Sequence, residues 1–379
     1  MSTPGRIARS LKVALPGQDR SYPIRFGAGT LDRAGDEIAR ATKASQAVIV
    51  TVPTVARRYA PRLERSLREA GIRTRRIVVP DGDATKNLGQ VKKLYDQLLA
   101  WNIDRSAAVV ALGGGMVGDL AGFLASSYLR GLPFVQVPTT ILAMVDSSVG
   151  GKVGVNVPQG KNLVGAFHQP RLVWVDVEVL ASLPRRERAA GLVEAVKHGA
   201  ILDRGLWERF ERDLEKAWQL DPAVLIPLLA RSCGVKAEVV ARDEREAGLR
   251  MLLNFGHTLA HAVEKLSRYR GILHGEAVAM GMVYAARRSE ALDLAPAGTA
   301  DRVEALLARL ELETALPGFP RSAYLKALRV DKKRKDAHIR FVVLRRIGAA
   351  ETVPLTPAEV YPPRQGPTER PKRRGSQRK

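Results

Sequence analysis

Residues 107–112 read Ala-Ala-Val-Val-Ala-Leu, and Gly113-Gly114-Gly115 follows without a break. A short apolar run rich in β-branched residues is a buried strand, and helical spacing resumes from Val117 to Tyr128. Gly113-Gly114-Gly115-Met116-Val117-Gly118 fits G-x-G-x-x-G between that strand and that helix. There a tight turn lets the backbone approach a pyrophosphate, and the helix N-terminus faces the anion. Two features depart from an ordinary dinucleotide domain. At least two βα units precede the turn, and the next strand, PFVQVP, ends without the carboxylate that would hold a ribose. Asp119, just after the turn, is the alternative acid for the ribose or nicotinamide end; it also suits a helix first turn.

The pattern around this junction repeats. Ala47–Thr51, Arg76–Pro80, Pro133–Pro138 and Leu172–Asp176 read as further strands, and Thr54–Ala70 and Leu88–Leu99 as helices. An edge hairpin is expected at Leu11–Leu15 and Tyr22–Phe26. Strands alternating with helices over short connections specify a parallel α/β sheet. From about Ser182 helices dominate: Glu187–His198, Asp221–Ala241, Arg250–Leu266, Glu276–Leu292 and Thr299–Leu310, with a late hairpin from Ile339. The expected fold class is an α/β N-terminal parallel-sheet (Rossmann-like) domain over residues 1–178, then a mostly α-helical domain over 179–362. Residues 363–379, basic and rich in Pro and Gly, read as a disordered tail.

Composition removes several classes. One cysteine, Cys233, excludes an internal disulfide framework and a cysteine zinc site. The first seventeen residues lack the apolar stretch of a signal peptide, and no apolar run reaches the roughly 20 residues of a membrane span. A cytoplasmic location is therefore expected. Lys and Arg total 61 against 39 acids, a formal charge of +22. That excess fits an anionic substrate, with nucleic acid confined to nonspecific contact by the tail.

Three of the six histidines, His257, His261 and His274, fall close together, beside Asn254, Gly256 and Gly275. His257 and His261 stand at i, i+4 on one helical face, which taken alone is a two-histidine metal clamp. Thr258 follows His257, so the motif is not H-E-x-x-H. Glu194, in GLVEAVKHGA, is a further ligand candidate. Arg130, Lys152, Lys161, Lys197, Lys236 and Arg250 each sit in or beside an apolar or glycine-rich segment. Together they suit a substrate bearing phosphate and carboxylate.

The block Gly113–Pro170, LPRRERAAGLVEAVKHGAI, DEREAGLRMLLNFGHTLAHAVE, HGEAVAMGM and Asp331-Lys332-Lys333 resemble the 3-dehydroquinate synthases. The similarity runs from about residue 10 to 355. It implies an NAD-binding domain, a helical metal-binding domain and an active site between them. It also implies a homodimer and a divalent metal, zinc or cobalt. The implied metal ligands are Glu194, His257 and His274, which moves His261 from the metal to the substrate phosphate. Arg130, supplied across the dimer, Lys152 and Asn162 join it there. Lys236, Arg250, Asn254 and Lys333 hold the carboxylate end, Lys197 contacts ring hydroxyls, and Asp146 lies near the nicotinamide. The implied NAD contacts are Asp83, Lys86, Gly114, Gly115, Val117, Asp119, Thr139, Thr140, Asp146, Ser147, Lys152, Lys161, Ser182, Leu183 and Glu187.

The implied reaction converts 3-deoxy-D-arabino-heptulosonate 7-phosphate to 3-dehydroquinate and phosphate, a step of the shikimate pathway. Hydride passes from C5 to NAD⁺, phosphate is eliminated, hydride returns, and the ring opens and closes by an intramolecular aldol step. Other sugar phosphate cyclases, such as 2-deoxy-scyllo-inosose synthase, and metal-dependent polyol dehydrogenases are the alternatives. Three positions depart from the family pattern: Val52-Pro53 in the first βα loop, Asp83 for Glu, and Gly234 for Glu. The first two touch the adenosine side of the cofactor and the third lies in a helix.

Overall fold

The computed structural model describes residues 6–13, 20–246, 248–329 and 338–363, and all statements below concern these. In the first half the strands are β1 (Ile7–Val13), β2 (Tyr22–Gly27), β3 (Gln46–Thr51), β4 (Arg73–Val78), β5 (Ala107–Gly113), β6 (Phe134–Pro138), β7 (Lys152–Val157), β8 (Gly160–Phe167) and β9 (Leu172–Asp176). Between them lie α1 (Ala34–Thr42), α2 (Pro53–Arg58), α3 (Ala60–Glu69), α4 (Leu88–Ala100) and α5 (Gly115–Ser127). The second half holds α6 (Arg185–Leu202), α7 (Arg204–Trp218), α8 (Pro222–Arg242), α9 (His257–Leu266), α10 (His274–Ala291), α11 (Thr299–Ala308) and α12 (Arg321–Leu328). The hairpin β10 (Ile339–Arg346) and β11 (Ala349–Leu355) and the short α13 (Pro357–Val360) follow.

Seven strands form one sheet in the order β1-β2-β9-β6-β5-β3-β4. Only β1 runs antiparallel to its neighbour. The central strands β9, β6, β5 and β3 are buried on both faces, as their near-continuous apolar runs require. Ala47 and Ile49 enter one core and Val48 and Val50 the other; Val110 and Leu112 likewise oppose Val109 and Ala111. One of these cores continues without interruption into the helical half, through Val193, Phe210, Leu229 and Val283. Sheet and helices are thereby tied through shared apolar packing.

Several expectations are corrected. The helix expected over Thr54–Ala70 breaks at Tyr59, whose hydroxyl is drawn to the Val179 carbonyl and Ser182. The strand read at Arg76–Pro80 starts three residues earlier and ends at Val78. The Arg250–Leu266 helix is two pieces, a 3-10 turn at Leu249–Asn254 and α9. Gly256 separates them with φ +80°, a backbone state that favours glycine. The first strand lies at Ile7–Val13, and the expected residues 14 and 15 fall outside the described residues. The hairpin β7–β8 and helix α7 were not anticipated. Lys333 and residues 364–379 also lie outside the described residues. No helix among the described residues is long and apolar enough to cross a membrane.

Candidate active site

Three helices converge on one carboxylate. Glu194, fully buried on α6, has Oε1 with no hydrogen-bond partner among the described residues. His257 and His274, the first residues of α9 and α10, bring their Nε2 atoms to 3.7 and 3.8 Å from that oxygen. Leaving a buried carboxylate oxygen unpaired is costly. A divalent cation between the three removes the cost, because the tetrahedral edge of a zinc site with such ligands is only slightly shorter, about 3.4 Å. Both rings are aimed by their other nitrogen: His257 Nδ1 lies 3.2 Å from the Phe255 carbonyl, and His274 Nδ1 3.1 Å from Glu264 Oε1. Such partners fix ring orientation and raise ligand basicity. Burial pushes His257 well below its usual pKa, which favours the neutral ring a metal needs.

The helices can meet because glycines stand where they touch. A Cβ on Gly275 would lie 2.0 Å from the Ala190 carbonyl oxygen of α6, and one on Gly281 2.0 Å from the Gly256 carbonyl oxygen. Close backbone approach therefore sets the spacing between Glu194 and the two histidines. A second group, Asp146, Glu194 and His198, is also close enough for a cation. Its other carboxylate is already matched, since Lys236 pairs with Asp146. Among the described residues, only the first group offers two imidazole nitrogens. His261 stands beside it, 5.5 Å from the His257 ring centre, and is not in either group. The two-histidine clamp is thus not formed.

Asp146 links this corner to a cavity of about 590 Å³. It lies in a π-helical turn at Ala143–Ser147, an element often found at functional positions. Burial opposes its charge, but Lys236 and Lys197 outweigh that and hold the carboxyl well below its usual range. Burial in turn lowers Lys236. Lys236 Nζ also donates to the Asp146 carbonyl at 2.7 Å. The β7–β8 hairpin contributes Lys152 and Asn162 to the cavity lining, which Asp119, Lys236 and Arg250 share. The hairpin crosses at Gly154 and Gly165, which pair in register; a Cβ on Gly165 would sit 2.3 Å from the Val153 carbonyl oxygen.

The remaining polar groups are partly engaged. Lys86 Nζ donates to Asp119 Oδ2 at 2.8 Å and Asn162 Oδ1 at 2.6 Å. This leaves the Asn162 amide nitrogen as a donor. Lys161 pairs with Asp83 at 2.9 Å and lies 4.2 Å over the Tyr269 ring, so it bridges the hairpin to the α9–α10 loop. Lys152 pairs with Glu246, whose Oε1 accepts from Asn254 Nδ2 at 2.9 Å. Arg250, itself buried, donates to the Glu244 carbonyl.

The glycine turn is shaped for a close ligand. Gly114 caps α5 without any side-chain hydrogen bond, which leaves the first-turn N–H groups of the helix for an anion. A Cβ on Gly115 would lie 2.9 Å from Ser147 Oγ, and one on Gly114 3.2 Å from Thr140 Cγ2. Ser147 Oγ is buried with no partner among the described residues. Thr139 N donates to the Gly113 carbonyl at 2.9 Å, holding β6 to the turn, and Val117 packs beneath it. These features fit a dinucleotide pyrophosphate. Ser182, Leu183 and Glu187 lie further off along the chain, from the turn after β9 into the first turn of α6.

Family models described as 3-dehydroquinate synthase N-terminal and C-terminal match residues 76–190 and 191–334. A 3-dehydroquinate synthase of Citrifermentans bemidjiense is 47% identical over 92% of this chain and 96% of its own. One from Symbiobacterium thermophilum is 50% identical over 89% and 95%. The chain belongs to the 3-dehydroquinate synthase family. A solved 2-deoxy-scyllo-inosose synthase with carbaglucose-6-phosphate, NAD⁺ and Co²⁺ superposes with a TM-score of 0.81 at 27% identity, over 93% of this chain and 98% of that one. A 2-epi-5-epi-valiolone synthase from Streptomyces hygroscopicus subsp. jinggangensis, with NAD⁺ and Zn²⁺ bound, gives 0.81 at 28% identity, over 89% and 94%. An iron-containing alcohol dehydrogenase at 19% identity and 0.62 shares the fold.

Within this family frame, the structure gathers Asp119, Asp146, Ser147, Lys152, Asn162, Lys236 and Arg250 around one cavity. Arg130 is not in that lining. It is exposed after α5, in a left-handed run with φ of 50°, 68° and 124° at Leu129, Arg130 and Gly131. Glu264 and Glu246 were missed by the sequence reading. Glu264 continues the His257–His261 face at i+7, a visible signal; Glu246 carries none.

Proposed function

We propose that the chain turns 3-deoxy-D-arabino-heptulosonate 7-phosphate into 3-dehydroquinate and inorganic phosphate, by oxidation, elimination, reduction, ring opening and intramolecular aldol closure. The observation that carries this reading is the unpaired Glu194 oxygen beside two aimed imidazoles, next to a cavity walled by Lys152, Lys236 and Arg250. A metal site alone fits a polyol dehydrogenase; the surrounding cations call for a substrate anion.

Glu194, His257 and His274 would hold the metal, zinc or cobalt, and the Gly114–Gly115 turn with Ser147 would receive NAD. When bound, NAD supplies reversible hydride chemistry and the metal a Lewis acid at the hydroxyl being oxidised. Lys197 contacts ring hydroxyls from a fully buried position. Lys236, Arg250 and Asn254, joined by Lys333, orient the carboxylate end. Lys152, Asn162 and His261, with Arg130 of the partner subunit, receive the phosphate as it leaves. Positioning and charge stabilisation are the protein's contribution.

The working division is an NAD domain over residues 1–178 and a metal- and substrate-binding domain over 179–362. The enzyme is a cytoplasmic homodimer serving the shikimate pathway, with no nucleic-acid substrate. A phosphate-release assay against three sugar phosphates tests the assignment. Release from the heptulosonate phosphate alone is expected. Comparable release from sedoheptulose 7-phosphate or glucose 6-phosphate would move the chain to another cyclase reaction.

A further inference from the structure

Among the lysine–carboxylate pairs in and around the cleft, three differ in kind. Lys197–Glu194 is sealed, at 1% and 0% side-chain exposure. Lys236–Asp146 is largely buried, at 8% and 28%. Lys152–Glu246 is open, at 48% and 29%. Ion pairs in contact with water are weak and exchange readily. Glu246 therefore holds a binding-site cation by a bond that another anion can take over.

Its remaining contacts strengthen the point. Glu246 Oε1 accepts from Asn254 Nδ2 at 2.9 Å, so one carboxylate engages a donor assigned to the phosphate end and another assigned to the carboxylate end. Glu246 has φ 62°, a left-handed state that a residue with a side chain adopts rarely. Burial disfavours its charge, but Lys152 and Asn254 outweigh this and keep it ionised. A carboxylate and a phosphate cannot both hold the same ammonium group without like-charge repulsion.

We propose that Glu246 is an internal competitor for the substrate's phosphate, a positioning residue that acts through Lys152. The inference rests on the reading that Lys152 receives the phosphate. The dianion displaces the Glu246 carboxylate on binding. After elimination, free phosphate, lacking the rest of the substrate to anchor it, is displaced in turn as Glu246 reclaims Lys152. Glu246 thus lowers affinity for inorganic phosphate and speeds its departure.

The direction of this effect separates it from a structural role. Inorganic phosphate is titrated calorimetrically into the full chain loaded with NAD and zinc, as wild type, Glu246→Gln, Glu246→Ala and Lys152→Ala. Both Glu246 variants should bind phosphate about two- to fivefold tighter, the scale of one exposed charge pair. KM for the heptulosonate phosphate should fall, and kcat should fall with it as phosphate release slows. Unchanged or weaker phosphate binding in both Glu246 variants overturns the proposal, since Glu246 would then merely brace Lys152 and Asn254. Phosphate binding that survives Lys152→Ala overturns the underlying assignment of Lys152 instead, and the proposal with it.

Discussion

The metal corner and the anion corner share one cleft and are built by opposite means. At the metal corner, Glu194, His257 and His274 start from helices held together by glycine contacts, and each imidazole is aimed by a second partner. Its key oxygen is buried and has no hydrogen-bond partner among the described residues. At the anion corner, Lys152 and Asn162 stand on an exposed hairpin and already engage protein groups, Glu246 and Lys86. The first is a rigid site that needs a ligand. The second is a site whose ligand must compete. Rigid placement suits a group that stays bound through many turnovers, and exchangeable pairing suits an anion that arrives and is expelled each time.

The largest effect separates the two histidines beside the metal. His274→Ala should strip zinc to background and cut turnover by about 1,000-fold or more, because an activating Lewis acid is lost. His261→Ala should keep full zinc content and lose about 100-fold in turnover, the scale of one removed charge-stabilising donor. Metal analysis of the purified variants decides this, and equal zinc loss in both would restore the two-histidine clamp.

The rigidity of the metal corner is tested next. In Gly275→Ala the new methyl would meet the Ala190 carbonyl, so α6 and α10 must separate. Thermal unfolding should show a loss of about 3 kcal/mol, and zinc affinity should fall with it. Normal stability would mean that the close helix contact does not set the ligand spacing.

A smaller effect sharpens the contrast between the lysines. Lys197→Ala leaves Glu194 with a buried, poorly matched charge and should cost about 3 kcal/mol in the metal-free chain. Lys152→Ala breaks an exposed pair and should cost less than about 1 kcal/mol, while raising KM for the phosphorylated substrate. Similar stability losses in the two variants would erase the distinction.

Much of the rigid corner was legible in the sequence. Apolar runs such as Ala107–Leu112 announce the sheet, and the glycine turn announces the α5 N-terminus, because burial on both faces and tight turns leave direct marks on residue choice. The metal ligands were carried by family resemblance; helical spacing alone favoured His257 with His261. Spacing failed there because Glu194 and His274 reach the His257 corner from α6 and α10, contacts that no pattern within one helix encodes. Glu264 was readable on the same face and was not read. The anion corner was less legible. Lys152–Phe167 is interrupted by glycines and polar residues, so neither strand nor helix period stands out, and the pairing of Gly154 with Gly165 exists only in the folded hairpin. Glu246 depends on a contact 94 residues distant in sequence, which no local pattern encodes.

Phosphate release from 3-deoxy-D-arabino-heptulosonate 7-phosphate, measured with the same protein before and after chelation and NAD removal, tests the central claim most directly. Release should cease on removal and return only when both NAD and a divalent metal are restored. Release that continues undiminished without them would contradict the assignment of Glu194, His257, His274 and the Gly114–Gly115 turn to a metal- and NAD-dependent site.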